Sequence, residues 1–250
     1  MINVELKGGA VKEFENGTTP AEIAKSIGAG LYKSVCCAKV DGDLCDLRTP
    51  LEKDCKVELL TFDNVDGQKT FWHTASHVLA QAVKRLYPNA KCAIGPAVDN
   101  GFYYDFDVEK PFSPEDLEKI KAEMKKIVKS GLELERVELS PEEAEKKLEE
   151  MNEPYKVELV KEHSDKGEHI TFYKQGEFID LCAGPHLMSV APIKAIELTA
   201  CTGAYWRGDA NNAQLCRVYG VAFPKASMLE EHTHNFKTYS SYYSRNKWYN

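Results

Sequence analysis

The sequence has no long apolar segment and no secretion signal. Its longest apolar runs fall well short of the roughly 20 residues that a membrane-spanning helix needs. The first residues, Met1 to Leu6, have neither a basic flank nor an apolar core segment, so they do not predict export. We therefore expect a cytoplasmic protein with no membrane partner.

Several motifs of nucleotide-binding and hydrolytic enzymes are also missing. The 250 residues contain no Gly-x-x-x-x-Gly-Lys-Ser/Thr phosphate loop and no Gly-x-Ser-x-Gly nucleophile elbow. Gly28-Ala29-Gly30 has Lys33 where a dinucleotide motif needs its third glycine, and it ends a predicted helix instead of opening one. These absences argue against a P-loop nucleotidase, a dinucleotide-dependent enzyme and a serine hydrolase of the α/β type.

The chain is short of positive charge. It has 32 basic and 39 acidic residues, for a net charge of -7. Residues 1–62 carry -2, residues 63–224 carry -7 and residues 225–250 carry +2. Tight non-specific binders of nucleic acid have a strong excess of Lys and Arg, so DNA is not an expected partner, and any contact with RNA must use a local patch.

Eight cysteines are present, but nothing in the sequence predicts an oxidising compartment. The chain is long enough to stabilise itself by burial, so a disulfide scaffold is not needed. We therefore expect reduced thiols, at positions 36, 37, 45, 55, 92, 182, 201 and 216.

Residues 1–62 have the pattern of a small β-rich module. Apolar residues alternate at the start, and Thr19-Pro20 opens a helix that ends near Gly28. Strands are predicted at 35–40 and 56–62, which gives the order ββαββ and a four-stranded sheet crossed by one helix. The polar stretch 63–70 is predicted to be a linker.

Residues 63–224 are predicted to form a second, α+β domain. A helix is predicted at 71–86, and two more begin at Ser113-Pro114 and Ser140-Pro141, where serine can cap and proline fits the first turn. The predicted strands that follow lie at 155–161, 169–174 and 177–182. Residues 225–250 lose apolar periodicity, and we predict a divergent, disordered tail there.

Four side chains stand out chemically. His73 and His77 are spaced i, i+4 on a predicted helix, which places both imidazoles on one face. Cys182 and His186 flank Ala-Gly-Pro, which cannot form a regular helix. Three imidazoles and a thiolate are a plausible tetrahedral zinc set. The alternative is that each is an ordinary core residue, since a single His-x3-His pair occurs often by chance.

Five linked motifs together resemble the N-terminal half of threonyl-tRNA synthetases. They are Phe71-Trp-His-Thr-Ala-Ser-His77, Ile94-Gly-Pro96, Gly101-Phe-Tyr-Tyr-Asp105, Asp180-Leu-Cys-Ala-Gly-Pro-His186 and Ala204-Tyr-Trp-Arg-Gly-Asp209. Residues 1–62 resemble the TGS domain of this family, a ubiquitin-like β-grasp module. Residues 63–224 resemble its editing domain, which alanyl-tRNA synthetases and freestanding editing proteins share.

The resemblance implies hydrolysis of seryl-tRNA that was made in error with the threonine tRNA. The site would be lined by His73, His77, Cys182 and His186, and Lys156, Asp180 and Tyr104 match positions that the family uses around the ester. We expect His73 and Lys156 to activate water and steady charge, and Asp180 to bind the substrate ammonium or the ribose. Cys182 and His186 would shape the pocket and contact the seryl group.

The resemblance does not imply a required metal, although alanyl-type relatives bind zinc at similar motifs. In the family, ATP and zinc serve a class II catalytic domain whose motifs we do not find here, and homodimers form through domains beyond this region. We therefore expect editing without aminoacylation by this chain alone. A non-enzymatic RNA- or zinc-binding fragment and a freestanding factor acting in trans are the alternatives.

Overall fold

The structure, a computed structural model, describes residues 1–235. The N-terminal part contains five strands and two helices: β1 (Ile2–Leu6), β2 (Val11–Phe14), α1 (Pro20–Ile27), α2 (Ala29–Ser34), β3 (Val35–Val40), β4 (Asp43–Cys45) and β5 (Cys55–Thr61). These strands form one mixed sheet in the order β2-β1-β5-β3-β4, in which β1 and β5 are parallel. This is the expected β-grasp module with one more strand, β4, and one more short helix, α2.

Helix α1 begins where the sequence predicts. The Thr19 hydroxyl accepts a hydrogen bond from the Glu22 backbone N–H, and the Glu22 carboxylate accepts one from the Thr19 N–H. This capping box satisfies two donors at the start of the helix, and Pro20 needs no such partner. Ile23 and Ala24 then face the sheet and are fully buried, so the cap and the apolar stripe fix the same helix.

The described residues end in a helical segment at 226–235, and residues 63–223 contain four helices, a 3₁₀ turn and eight strands. They are α3 (Val65–Leu86), β6 (Lys91–Cys92), β7 (Ala97–Val98), β8 (Gly101–Asp107), α4 (Pro114–Ser130), β9 (Leu134–Glu138), α5 (Pro141–Glu150), α6 (Pro154–Asp165), β10 (Thr171–Gln175), β11 (Phe178–Leu181), β12 (Ala195–Tyr205), the turn Trp206–Gly208 and β13 (Gln214–Phe223). The predicted α+β class is confirmed.

The strands of this part form two sheets. One has the order β12-β13-β8-β6, with β7 also paired to β8, and the other has the order β11-β10-β9. Helix α3 packs on β8, β13 and α4. Most of its residues are buried, including Phe71 and Trp72, and the Trp72 indole donates to the Ala222 carbonyl (2.9 Å). The helix that carries two candidate site residues is therefore the centre of the main core.

Three sequence-based assignments are wrong. Residues 63–70 are not a linker, because α3 begins at Val65 and Asn64 caps it by accepting from the Asp66 N–H (2.9 Å). Residues 155–161 are not a strand but lie in α6. The tail is not wholly irregular, since residues 226–235 are helical and Met228 and Leu229 pack on the core.

Other assignments agree with the structure. Helices α4 and α5 begin with capping boxes at Ser113 and Ser140, and the predicted strands 169–174 and 177–182 correspond to β10 and β11. The prediction for 236–250 lies outside the described residues, and the domain boundary at 62 stays a prediction. Within residues 1–235, no helix is both long and apolar enough to cross a membrane.

Candidate active site

Helix α3 presents the first pair of candidate residues. His73 and His77 lie one turn apart, with ring centroids 5.4 Å from each other. The Ser76 hydroxyl is 2.8 Å from the His73 carbonyl and donates to the Gly95 carbonyl at 2.6 Å, which ties this turn to the Ile94-Gly-Pro96 motif. Gly95 itself has no room for a side chain, because a Cβ there would lie 2.1 Å from the Tyr104 ring.

The second pair lies on the loop that follows β11. Gly184 has a φ of +78°, and a Cβ at this position would lie 2.3 Å from the Tyr173 hydroxyl. A residue with a side chain would therefore be strained and would displace Tyr173. The Gly184 N–H donates to Cys182 Sγ (3.3 Å), so the loop folds back on the thiol. This turn brings His186 beneath Cys182.

All four side chains converge. Cys182 Sγ lies 3.3 Å from His73 Nε2 and 3.2 Å from His186 Nε2. The His186 ring centroid is 4.2 Å from those of His73 and His77. One ligand atom from each residue can be chosen so that all four lie within 4.8 Å of one another. The helix and the loop therefore bring the four side chains into one cluster.

A buried ion pair adjoins the cluster. Lys156, on α6, lies with its Nζ 2.8 Å from Asp180 Oδ1, and both side chains are about 5% exposed or less. The Tyr104 hydroxyl donates to Asp180 Oδ2 (2.6 Å), and His77 Nε2 lies 3.7 Å from the same oxygen. Both carboxylate oxygens are therefore engaged, which suits a residue that holds Lys156 and Tyr104 in place.

A cavity of about 370 Å³ opens onto this arrangement. Its wall includes His73, His77, Lys156, Asp180 and Cys182. The other two predicted site residues, His186 and Tyr104, are fully buried and do not line it. The structure therefore brings all seven predicted residues together, five at the surface of the cavity and two behind it.

Both parts of the chain are similar to known proteins. Residues 2–61 match the TGS domain, and residues 170–219 match the threonyl and alanyl tRNA synthetase second additional domain. Threonine–tRNA ligases of Acetivibrio thermocellus and Clostridium tetani are each 57% identical over 230 residues, and that of Caldanaerobacter subterraneus subsp. tengcongensis is 54% identical over 231. Each match covers 92% of this chain and 36% of the relative.

The chain is homologous to the N-terminal region of threonine–tRNA ligases. It spans about a third of the length of the curated relatives it matches. Cys182, His186 and Asp180 lie inside the range that matches the second additional domain, whereas His73, His77 and Lys156 precede it.

Burial sets the charge state of two histidines in the site. It lowers the pKa of His73 to about 4, and the attraction of Asp180 and a hydrogen bond with the Pro185 backbone only partly offset this effect. Burial and the neighbouring His77 and His73 hold the pKa of His186 well below its usual value. Both rings are therefore neutral near pH 7 and can accept a proton or a metal.

The Lys156–Asp180 pair stays charged although both residues are buried. Burial opposes the charged form of Lys156, but the Asp180 carboxylate outweighs it and raises the lysine pKa. Burial likewise opposes the Asp180 carboxylate, but Lys156, His77 and the Tyr104 hydroxyl together lower its pKa below the usual value. The site thus holds a fixed positive charge beside neutral imidazoles.

Three further residues touch the site and were not identified from the sequence. Thr74 Oγ1 lies 3.1 Å from His186 Nδ1 and accepts from the Leu187 N–H (3.0 Å). Asp46 and Arg48, in the TGS-matched range, contact the backbone of the His186 loop. A buried threonine on α3 is a weak signal that the sequence does offer. Nothing in it links residues 46–48 to residue 186.

Proposed function

We propose that this region hydrolyses the ester bond of tRNA mischarged with serine, and that the threonine tRNA is its partner. The observation that carries the proposal is the convergence of His73, His77, Cys182 and the Lys156–Asp180 pair on one cavity. An ester hydrolase needs a proton acceptor for water, a positive group near the developing oxyanion and a confined space for the acyl group. The cavity offers all three.

His73 is the proposed general base. Its ring lines the cavity and is neutral near pH 7, because burial lowers its pKa to about 4. A water beside Nε2 would give its proton to His73 as its oxygen bonds to the ester carbon. The carbon–oxygen bond to the ribose then breaks, and the proton passes to the departing ribose oxygen. The products are free serine and uncharged tRNA.

Lys156 is the proposed electrostatic partner. Its ammonium lies in the cavity wall and is kept charged by Asp180, so it is fixed before the substrate arrives. A preorganised positive charge favours the tetrahedral oxyanion without reorganisation during the reaction. Asp180 and Tyr104 act as positioning residues in this proposal, because their polar atoms are already hydrogen-bonded to each other and to Lys156.

Discrimination against threonine would come from a stiff wall at Cys182. The thiol is held by His73, His186 and the Gly184 N–H at 3.2–3.3 Å, so it cannot easily retreat from an extra methyl group. One methyl contact changes affinity by about 1–3 kcal/mol, which is why a second, separate check on the amino acid is useful. A hydrolytic pocket that excludes the larger threonine side chain acts on serine, so its preference is opposite to that of a site that selects threonine.

We propose hydrolysis that does not depend on a metal. The alternative is a zinc ion bound by the cluster. His73, His77, Cys182 and His186 are donor types that suit zinc, and the neutral imidazoles fit a metal as well as a proton. These four residues would hold the ion, which would lower the pKa of bound water. Metal analysis of the purified chain and hydrolysis assays after chelation separate the two readings.

The central test is deacylation of seryl-tRNA by the purified chain, with threonyl-tRNA as the matched control. We expect serine release well above the uncatalysed rate and little threonine release. His73→Ala should lower kcat by about 100-fold or more, the usual contribution of a general base, with the fold retained by circular dichroism. Wild-type protein without seryl-tRNA hydrolysis contradicts the proposal and favours a non-enzymatic RNA-binding role.

A further inference from the structure

The loop from Cys182 to Leu187 has no regular secondary structure, yet it carries the thiol and one imidazole of the cluster. A loop that holds such groups needs partners for its own backbone N–H and C=O groups, because these are costly to bury unpaired. Thr74 supplies one, at the Leu187 N–H. The Cys182 backbone pairs with Thr171, whose carbonyl accepts from the Cys182 N–H (3.0 Å) and whose hydroxyl donates to the Cys182 carbonyl (2.6 Å). The partners of the His186 backbone come from the TGS-matched part of the chain.

Asp46 is the first of these partners. It lies between β4 and β5 and is 8% exposed. Its Oδ2 accepts from the His186 backbone N–H (3.1 Å) and from the Tyr173 hydroxyl (2.8 Å). Tyr173 in turn stacks edge-on against the His186 ring, at 4.4 Å between centroids. One carboxylate therefore holds both the backbone and the packing neighbour of His186.

Arg48 is the second partner. Its guanidinium donates to the carbonyls of His186 (3.3 Å), Leu187 (2.7 Å) and Leu134 (2.9 Å). It also pairs with Asp46 Oδ1 at 3.0 Å, and its side chain is 14% exposed. The planar fork of arginine suits several acceptors at once, which an ammonium group cannot match. Both the N–H and the C=O of His186 are thus fixed from the TGS-matched part.

The consequence reaches the cavity through His186. Its Nε2 lies 3.2 Å from Cys182 Sγ, which lies 3.3 Å from His73 Nε2. A shift of the His186 backbone would therefore move the thiol wall and the environment of the proposed base. Supports behind a reactive group determine its placement, and a misplacement of about 1 Å can cost about 100-fold in rate.

We propose that Asp46 and Arg48 are positioning residues of the hydrolytic site, so that the TGS-matched part completes a site it does not line. The expected effect on the reaction rate depends on the proposed seryl-tRNA hydrolysis. The expected effect on the structure, the fixed position of the Cys182–Leu187 loop, does not depend on that activity.

Arg48→Ala and Arg48→Lys test the kinetic consequence. We expect kcat for seryl-tRNA to fall about 10- to 100-fold in both, with KM within about twofold. Lysine keeps the charge but not the fork, so Arg48→Lys should recover stability more than kcat. Unchanged kcat in a folded Arg48→Ala protein overturns the proposal.

Lys39→Ala is the matched control. Lys39, in β3, pairs with Asp66 at the start of α3 (2.7 Å), so it also joins the TGS-matched part to the rest of the chain. It touches neither the loop nor the cavity. We expect wild-type kcat in this variant. An equal loss in Lys39→Ala and Arg48→Ala would show a general effect of weakened packing between the two parts and would overturn the proposal.

Hydrogen exchange decides the structural consequence even in a protein without hydrolytic activity. In Asp46→Ala the His186 amide loses its acceptor, while the Leu187 amide keeps Thr74. We expect exchange at His186 to accelerate at least tenfold more than at Leu187, and Asp46→Asn to lie between wild type and Asp46→Ala. Equal exchange at His186 in wild type and Asp46→Ala overturns the proposal. An inactive wild type overturns only the proposed function.

Discussion

The Lys156–Asp180 pair is the residue-scale feature with the clearest energetic consequence. Both side chains are about 5% exposed or less, so removal of one leaves the other charged and buried. Breaking such a pair costs about 3–5 kcal/mol, although the intact pair adds little net stability. We predict that Lys156→Met lowers the free energy of unfolding in urea by about 3–5 kcal/mol, and that Lys156→Met with Asp180→Asn lowers it less.

Lys7→Met provides the control. Lys7 pairs with Glu58, but its side chain is 76% exposed. Exposed pairs contribute about 0–1 kcal/mol, so the change should be small. If Lys156→Met were as stable as Lys7→Met, water or a cation would have to compensate the Asp180 carboxylate, and the fixed charge assigned to the site would be wrong.

The pKa of His73 predicts a dependence of stability on pH. Burial lowers this pKa from 6.5 to about 4, so the unfolded chain binds the proton more readily in that interval. Stability contributed by neutral His73 is complete above pH 6.5 and is lost as pH falls towards about 4. We expect unfolding free energies measured between pH 7.5 and 4.5, with chelator present, to fall less steeply in His73→Gln than in wild type.

At the residue scale, local spacing was informative and long-range contact was not. Chain geometry alone brings together the i, i+4 pair His73 and His77. The short loop from Cys182 to His186 does the same for its two end residues. Asp46 and His186 are 140 positions apart, and only the packed fold joins them. For the same reason, the sequence did not show that His186 lies behind the cavity instead of in its wall.

At the scale of elements, the informative failure is α6. Tyr155, Val157 and Leu159 alternate with polar residues, which is the pattern of a half-buried strand. The segment is helical because Pro154 fits its first turn and Lys156 and Val160, one turn apart, form its buried side. One of those two inward residues is a lysine, so hydrophobicity does not show the helical period. The element was misassigned because one of its two buried residues carries a charge.

Helices α4 and α5 were predictable because three local signals agree in each. At Ser140 the hydroxyl accepts from the Glu143 N–H, proline follows, and Ala144 and Leu148 form a buried i, i+4 stripe. Strands β12 and β13 were missed, although they form the most extensive strand pair in the structure. These strands form because of the strands they pair with, and their own pattern of apolar residues does not reveal them.

At the scale of the whole molecule, the acidic charge limits how the chain would bind the tRNA that we propose as its substrate. Residues 1–62 and 63–224 are each net negative, and Lys156, the cation in the cavity wall, is already paired with Asp180. Binding through many phosphates requires clustered Lys and Arg. Contact with the substrate should therefore be concentrated at the charged 3′ end, where the ester and the neighbouring ribose enter the cavity.

This limit predicts a weak dependence of hydrolysis on salt. Each phosphate contact contributes about -0.9 to the slope of log affinity against log salt on a duplex, so two or three contacts give about -2 to -3. We expect log kcat/KM for seryl-tRNA between 50 and 300 mM KCl to show a slope in that range. A seryl minihelix of the acceptor stem should be cleaved with similar kcat/KM. A slope steeper than about -5, or a large preference for full tRNA, would require a phosphate-binding surface that the charge distribution of residues 1–224 does not predict.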